Sequence, residues 1–175
     1  MVSWTFSRAS TRASKEPEVL CSDDGSPLIL GTPEDSTDVR VATRVFAADL
    51  TGDGVLDLVS GNLRGSFYMF HGVEAGVFAA QSVHGEPLAV SSKSDPFLVD
   101  WDSDGDLDLV SGSGRGGVFA FQNTGGPKRP VFAKSTELLA ARAEAGPFAF
   151  GEAGIKGPQW TTRVWVDDLN HDGRL

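Results

Sequence analysis

The nine residues Asp100-Trp-Asp-Ser-Asp-Gly-Asp-Leu-Asp108 contain five carboxylates, and their spacing decides how the rest of the chain is interpreted. Carboxylates this close repel one another, so the segment needs a compensating positive charge. Ca²⁺ supplies one, because it takes roughly 6–8 oxygen ligands from carboxylates, carbonyls and water. A glycine at position six of the loop, Gly105, allows the sharp turn that such a site requires. The predicted ligands are the side chains at positions one, three, five and nine and the carbonyl at position seven, namely Asp100, Asp102, Asp104, Asp108 and Asp106.

The same spacing occurs twice more, so the acidic loop is a repeated feature. Asp49-Leu-Thr-Gly-Asp-Gly-Val-Leu-Asp57 carries Thr51 at position three, and Asp168-Leu-Asn-His-Asp-Gly-Arg-Leu175 stops one residue before position nine. We expect the Asp100 loop to bind Ca²⁺ more tightly than the Asp49 loop, because Asp102 supplies a charge that Thr51 lacks. The further predicted ligands are Asp49, Thr51, Asp53, Asp57 and the carbonyl of Val55 in one loop, and Asp168, Asn170, Asp172 and the carbonyl of Arg174 in the other.

The residues around the loops indicate strands rather than helices. An EF-hand loop lies between two helices and has a Glu at position twelve. Here position twelve is Ser60 or Ser111, and the residues on both sides of the loop alternate as strands do. The pattern Phe-x-x-Asp-x-Asp/Thr-x-Asp-Gly-x-x-Asp-Leu-Val-x-Gly resembles the FG-GAP/VCBS repeat family, which includes the integrin alpha-subunit β-propellers. The resemblance covers nearly the whole chain. It implies an all-β fold and bound calcium; the alternative is that the Asp residues form Asx-turns without a metal.

Longer repeats support this interpretation. Gly25, Gly85 and Gly146 recur at spacings of 60 and then 61 residues, and Gly76-Val-Phe-Ala79 matches Pro130-Val-Phe-Ala133. Four antiparallel strands in about 60 residues describe one propeller blade. The predicted units are the end of one blade at 1–35, a blade with the Asp49 loop at 36–92, a blade with the Asp100 loop at 93–157, and the start of the next blade at 158–175.

These units predict an incomplete propeller of about three repeats, because closed propellers have typically 4–8 blades. We therefore expect the rest of the propeller, or another subunit, to cover the open blade edges. The stretch Thr136 to Glu144 stands where the other repeats have their fourth strand, and we interpret it as a variable insertion.

Charge and composition restrict the partners. The formal net charge is −9, which argues against a nucleic-acid partner, since that needs a basic face. No stretch approaches the roughly 20 apolar residues of a transmembrane helix, and no signal peptide is visible at the first residues. The single cysteine, Cys21, cannot form an internal disulfide. The family resemblance favours an extracellular or lumenal location, but the residues themselves leave the compartment open.

The remaining residues favour a binding module over an enzyme. The three histidines, His71, His84 and His171, share no metal-ligand spacing, and we expect them in exposed turns. Trp165 aligns with Phe46 and Phe97 and is predicted to be core, while Trp101 could pack between blades or offer a flat face to a sugar. No Ser/His/Asp nucleophile arrangement is present. We expect a non-enzymatic, calcium-stabilised scaffold that binds a protein or glycan; the alternative is the propeller portion of a carbohydrate-active enzyme such as a polysaccharide lyase.

Overall fold

The computed structural model describes residues 20–29, 44–74, 76–81, 84–85, 88–126, 128–141 and 162–175. Within these ranges the secondary structure is entirely β, so the all-β prediction is confirmed. The repeat marker Gly146 and the ends of several predicted units lie outside the described residues. The strands are β1 (Cys21–Ser22), β2 (Arg44–Ala48), β3 (Asp57–Gly61), β4 (Phe67–Glu74), β5 (Val77–Gln81), β6 (His84–Gly85), β7 (Asp95–Val99), β8 (Asp108–Gly112), β9 (Val118–Phe121), β10 (Val131–Phe132) and β11 (Thr136–Leu139).

The Asp49 loop lies in a sheet of order β1-β5-β4-β3-β2. Strands β2 to β5 are antiparallel neighbours in sequence order, as the short loops between them require, and β1 adds to β5 in parallel. Phe46 pairs with Val59, and Leu58 pairs with Phe70. The loop therefore joins the first two antiparallel strands, as predicted.

The Asp100 loop lies in a second sheet with the same register. Its order is β11-β9-β8-β7, with Phe97 paired to Val110 and Leu109 paired to Phe121. The predicted four-stranded antiparallel unit is thus present twice in the described residues. These two sheets do not form a closed ring, and the number of blades stays a prediction.

The proposed insertion is wrong over Thr136–Leu139, because these residues form the fourth strand of the second sheet; residues 142–144 lie outside the described residues. It pairs antiparallel with β9, with an irregularity between Glu137 and Leu139. All four side chains of β11 are exposed, so they show no alternation of buried and exposed residues by which a strand could be recognised. The marker shared by Val77-Phe78 and Val131-Phe132 does hold: Phe78 pairs with Gly72, and Phe132 bridges Asn123 at the corresponding place.

The two sheets meet along their first strands, where aromatic rings pack against one another at tilted angles. The ring centroids of Phe46 and Phe97 are 4.7 Å apart, and those of Phe97 and Trp165 are 5.4 Å apart. Trp165 thus follows Phe97 in the aromatic series, as its alignment with Phe46 and Phe97 predicted. It is 77% exposed, however, so its assignment to the core is wrong. Its ring contacts Phe97 on one side, and the described residues do not cover the other. The buried core comprises Leu50, Val59, Met69, Val90, Leu98, Leu109, Phe121 and Phe132.

One backbone contact recurs between the residue after a second strand and the segment that follows the sheet. Ser94 N donates to Asn62 O at 3.0 Å, and Thr162 N donates to Ser113 O at 3.0 Å. A Cβ on Gly61 would overlap the carbonyl oxygen of Ser94, so the close approach of the two sheets requires glycine there. Thr162 therefore contacts Ser113 in the same way as Ser94, the residue before β7, contacts Asn62. None of the described residues belongs to a helix long and apolar enough to cross a membrane.

Candidate metal centre

The three acidic loops share one backbone geometry, set by the carboxylate at position one. Asp49 accepts hydrogen bonds from the backbone N–H groups of Asp53 at 3.0 Å and Gly54 at 2.9 Å. Glycine is required at position six because Gly54 has a φ of +88°. The equivalent bonds join Asp100 to Asp104 and Gly105, and Asp168 to Asp172 and Gly173.

Position five stabilises the second half of each loop. Asp53 Oδ1 accepts from Val55 N at 2.8 Å, and Asp104 Oδ1 accepts from Asp106 N at 3.1 Å. These are the Asx-turn contacts that the sequence left as an alternative to metal binding. They use part of the acceptor capacity of each carboxylate, which has about four lone-pair sites. The turns alone therefore leave oxygen lone pairs available for a ligand.

The carboxylate at position nine of the Asp100 loop ties the loop to the sheet. Asp108 is 1% exposed; its Oδ2 accepts from Trp101 N at 2.9 Å and its Oδ1 accepts from Asn123 N at 2.6 Å. Because Asn123 follows β9, this one side chain joins the loop to the third strand of the sheet. Asp57 holds the same place in the Asp49 loop and is also 1% exposed.

Carboxylate oxygens converge in the Asp100 loop. One oxygen each of Asp100, Asp102 and Asp108 lies within 4.8 Å of the others. Two oxygens bound to one Ca²⁺ at about 2.3–2.6 Å are at most about 5 Å apart, so the three fit a single ion. Asp104, predicted as a fourth side-chain ligand, lies outside this group of three.

Burial and repulsion between neighbouring carboxylates both disfavour negative charge in the Asp100 loop. Burial raises the pKa of Asp106, and repulsion from Asp104, Asp108, Asp102 and Asp100 raises it further. Burial also raises the pKa of Asp108, although the hydrogen bonds from Asn123 N and Trp101 N act in the opposite direction. Asp106 Oδ1 is buried without a hydrogen-bond partner. Sequence reasoning gave Asp106 only its carbonyl, and the burial of its side chain, which is 7% exposed, was not foreseen.

The Asp49 loop is arranged differently. The carboxylates of Asp49, Asp53 and Asp57 do not form a comparable group among the described residues. Instead, His71 Nδ1 lies 2.8 Å from Asp57 Oδ1, and His71 Nε2 lies 3.6 Å from Asp53 Oδ2. Thr51 is buried, and its Oγ1 has no hydrogen-bond partner.

The expectation that His71 is an exposed turn residue is wrong, because it lies on β4 with its side chain 37% exposed and facing the loop. The sequence carried a signal for this position: aligning the aromatic strands Phe67–Phe70 and Val118–Phe121 makes His71 equivalent to Gln122 in the other repeat. Gln122 Nε2 donates to Asp102 Oδ2, so both side chains contact the neighbouring acidic loop.

The third loop is open to solvent. Asp172 Oδ2 accepts from Asn170 Nδ2 at 3.0 Å, and Asp172 Oδ1 accepts from Arg174 N at 2.9 Å. The hydrogen bond from Gly173 N is the largest cause that lowers the pKa of Asp168. In the described residues, the predicted ligands of this loop do not converge on a common point as those of the Asp100 loop do.

A shallow cavity of about 200 Å³ adjoins the Asp100 loop. Trp101 forms part of its wall and is 41% exposed, and its packing between blades stays a prediction. The other lining residues are Asp102, Asp108, Ala120, Gln122, Thr136 and Leu138.

Comparison with known proteins agrees with this architecture. Residues 49–111 match the family model described as FG-GAP-like repeat. The match begins at the first residue of the Asp49 loop and ends in β8, directly after the Asp100 loop. No curated protein and no solved structure matches the chain significantly. The chain therefore carries an FG-GAP family repeat at residues 49–111.

Proposed function

We propose that this protein is a calcium-binding β-propeller repeat module that acts as a scaffold or as a protein- or glycan-binding surface. The observation that supports calcium most directly is the convergence of Asp100, Asp102 and Asp108 oxygens within 4.8 Å. Water and the carbonyl at position seven would complete the roughly 6–8 oxygen ligands that Ca²⁺ takes. Oxygen-only donors favour Ca²⁺ over the softer metals that select histidine or cysteine.

The electrostatics of the loop favour a resident cation. Asp106 and Asp108 have raised pKa values, first because they are buried and then because neighbouring carboxylates repel them. A divalent ion would offset that repulsion directly. Its binding free energy would stabilise the folded chain, because the three oxygens are brought together only by the fold. Calcium thus acts here as a structural support for the sheet that carries the loop.

A binding surface is supported by the cavity beside the same loop. Trp101 presents an aromatic side chain next to the polar groups of Asp102, Gln122 and Thr136, and Leu138 completes an apolar edge. An aromatic face beside carboxylate and amide groups suits a glycan or a polar protein segment, since sugars combine apolar ring faces with hydroxyl groups. This placement favours a ligand bound close to the calcium loop.

We also infer that a partner covers the open side of the aromatic stack. Trp165 continues the series begun by Phe46 and Phe97 but is 77% exposed. A further repeat of the propeller, or another subunit, would bury that ring and contribute about 1.5–3 kcal/mol for an aromatic or large apolar side chain.

Isothermal titration calorimetry with CaCl₂ tests the calcium proposal. Asp102→Ala removes one of the three converging oxygens at an exposed position, so the fold should be retained. We expect calcium affinity at this loop to fall by at least about tenfold, equivalent to about 1.4 kcal/mol. Asp23→Ala is the matched control, since it removes one exposed carboxylate in the turn after β1. Equal calcium binding in Asp102→Ala and the unsubstituted chain would refute the proposal.

A further inference from the structure

The two complete acidic loops differ in how their closing carboxylates are used. Asp57 Oδ2 accepts from Leu50 N at 2.9 Å and Thr51 N at 3.0 Å. Asp57 Oδ1 accepts from Gly72 N at 2.8 Å and from His71 Nδ1 at 2.8 Å. A carboxylate has about four lone-pair sites, so these four donors saturate Asp57.

Asp108 can accept more than the hydrogen bonds that it already receives. It accepts from Trp101 N and Asn123 N, and these two hydrogen bonds leave about two lone-pair sites. One of its oxygens lies within 4.8 Å of oxygens of Asp100 and Asp102. The closing carboxylate of this loop can therefore serve the fold and a cation together, whereas that of the Asp49 loop serves only the fold.

The side chain that makes the difference stands at one equivalent position of the two sheets. His71 follows Phe70, which pairs with Leu58, and Gln122 follows Phe121, which pairs with Leu109. The His71 ring spans the Asp49 loop, with Nδ1 at Asp57 and Nε2 3.6 Å from Asp53 Oδ2. Gln122 instead donates to the exposed carboxylate of Asp102, and the hydrogen bonds of Asp108 come from Trp101 N and Asn123 N.

The two loops also differ in their charge. The Asp49 loop has three carboxylates, a neutral Thr51 at position three and the adjacent imidazole of His71. The Asp100 loop has five carboxylates and a neutral amide at the matching place. The loop with more carboxylates is therefore the one to which the third strand presents a neutral amide instead of an imidazole.

We propose that His71 occupies the place of a metal ion in the Asp49 loop, so that of these two loops only the Asp100 loop takes up Ca²⁺. This inference rests on the proposed calcium function, and it makes residue 71 the determinant of which loop binds metal. The Asp49 loop is then closed by the protein's own side chains and keeps its shape without calcium.

The first test leaves His71 in place. Asp53→Ala removes a partly exposed carboxylate that every calcium-bound form of the Asp49 loop would use. We expect the number of calcium ions bound per chain, measured by calorimetry on the full 175-residue chain, to stay the same. Loss of one bound calcium in Asp53→Ala would overturn the proposal.

The second test exchanges the two equivalent side chains. His71→Gln copies the residue of the other sheet, and Asp57 keeps its three backbone donors, so the loop should remain folded. We expect one additional calcium ion per chain, and its loss again in His71→Gln/Asp53→Ala. Gln122→His should weaken calcium binding at the Asp100 loop by about tenfold or more. An unchanged calcium count in His71→Gln would contradict the role of His71.

Failure of this inference and failure of the calcium proposal give different results. If calcium binding is unaffected by Asp102→Ala but lost in Asp53→Ala, the ion binds in the Asp49 loop. Both the proposed calcium site in the Asp100 loop and the inference about His71 then fail. If Asp102→Ala removes calcium and Asp53→Ala removes a second ion, only the inference about His71 fails.

Discussion

The sheet that carries the Asp49 loop and the sheet that carries the Asp100 loop have the same backbone and different side-chain chemistry. In both, position one accepts from positions five and six, position five accepts from position seven, and position nine is buried. Yet three carboxylate oxygens converge only in the second of these loops, while His71 contacts the closing carboxylate of the first.

This difference shows that the same loop backbone forms whether or not the carboxylates converge. The backbone hydrogen bonds and the positive φ of Gly54 and Gly105 are sufficient to shape both loops. What distinguishes them is the residue at position three and the residue that the third strand presents to the loop. In this chain the carboxylate-rich motif predicts the turn in each loop, and our proposal adds that a cation binds only where the carboxylates keep free lone pairs.

The largest expected effect concerns the aromatic contact between the two sheets. Phe97 is buried and stacks on both Phe46 and Trp165, whereas Phe46 is half-buried and has a ring contact with Phe97. We expect Phe97→Ala to cost about 3–5 kcal/mol in the free energy of unfolding, and Phe46→Ala to cost less. Urea denaturation followed by circular dichroism measures both; a larger loss for Phe46→Ala would show that the stack is organised differently.

Calcium removal should have the next largest effect. A ligand that binds the folded state alone adds about 2.7 kcal/mol at a hundredfold excess over its Kd. We expect chelation to lower the Tm of the unsubstituted chain, and magnesium to restore it poorly because Mg²⁺ demands near-octahedral geometry. Asp102→Ala should show little response to chelator. A Tm that ignores the chelator in the unsubstituted chain would mean that the Asp100 loop is a turn without metal.

When calcium is absent, we expect the two buried closing carboxylates, Asp57 and Asp108, to differ in how much they contribute to stability. Asp57 accepts four hydrogen bonds, and its replacement by Asn turns an amide N–H₂ toward backbone donors. Asp108 accepts two and is repelled by Asp102 and Asp104, so Asn removes repulsion as well as hydrogen bonds. We expect Asp57→Asn to destabilise the chain by about 1–2 kcal/mol more than Asp108→Asn in chelator. Equal losses in a thermal melt would contradict the difference in their hydrogen bonding.

The smallest expected effect is a dependence of stability on pH. The folded chain raises the pKa of Asp106 and Asp108 above 3.8, so the folded state binds protons more readily than the unfolded state. Their charged forms destabilise the fold at neutral pH, and this cost is relieved as pH falls through the folded pKa values toward 3.8.

In chelator, these two carboxyls should therefore raise the Tm as the pH is lowered from neutral toward 4. Asp106→Val, which copies Val55 of the other loop, should reduce the rise. Asp23→Ala serves as the control for the loss of one carboxylate. A rise of the same size in Asp106→Val would assign the pH dependence to other groups.

Much of the fold could be predicted because the loop motif and its flanks carry local information. The apolar alternation around Phe46 and Phe97 and the recurrence of Asp-Leu-Val-Ser-Gly fix the register of β2 with β3 and of β7 with β8. Strand β11 was missed because an edge strand with four exposed side chains has no burial pattern. Trp165 was wrongly assigned to the core because alignment predicts which neighbour a residue contacts, and burial depends on what covers its other face.

The convergence of carboxylates in the Asp100 loop could be predicted from the sequence, whereas the contact of His71 with the Asp49 loop could not. Asp100, Asp102 and Asp108 lie where the spacing placed them, since each is held by contacts within the loop or to β9. His71 is 14 residues from its partner Asp57 in sequence, and only the pairing of β3 with β4 brings the two together. Side chains that occupy a site from a neighbouring strand are visible only once the register of that strand is known.

The central claim, that calcium binds in the Asp100 loop and not in the Asp49 loop, is tested most directly by terbium luminescence. Tb³⁺ accepts the oxygen ligands of Ca²⁺ and emits when a nearby tryptophan is excited. Trp101 lies at position two of the Asp100 loop beside Asp102 and Asp108, whereas Leu50 holds that position in the Asp49 loop.

We predict sensitised emission that is displaced by Ca²⁺, lost in Trp101→Phe and Asp102→Ala, and unchanged in Asp53→Ala. Emission that survives Asp102→Ala and disappears in Asp53→Ala would place the ion in the Asp49 loop and contradict the account.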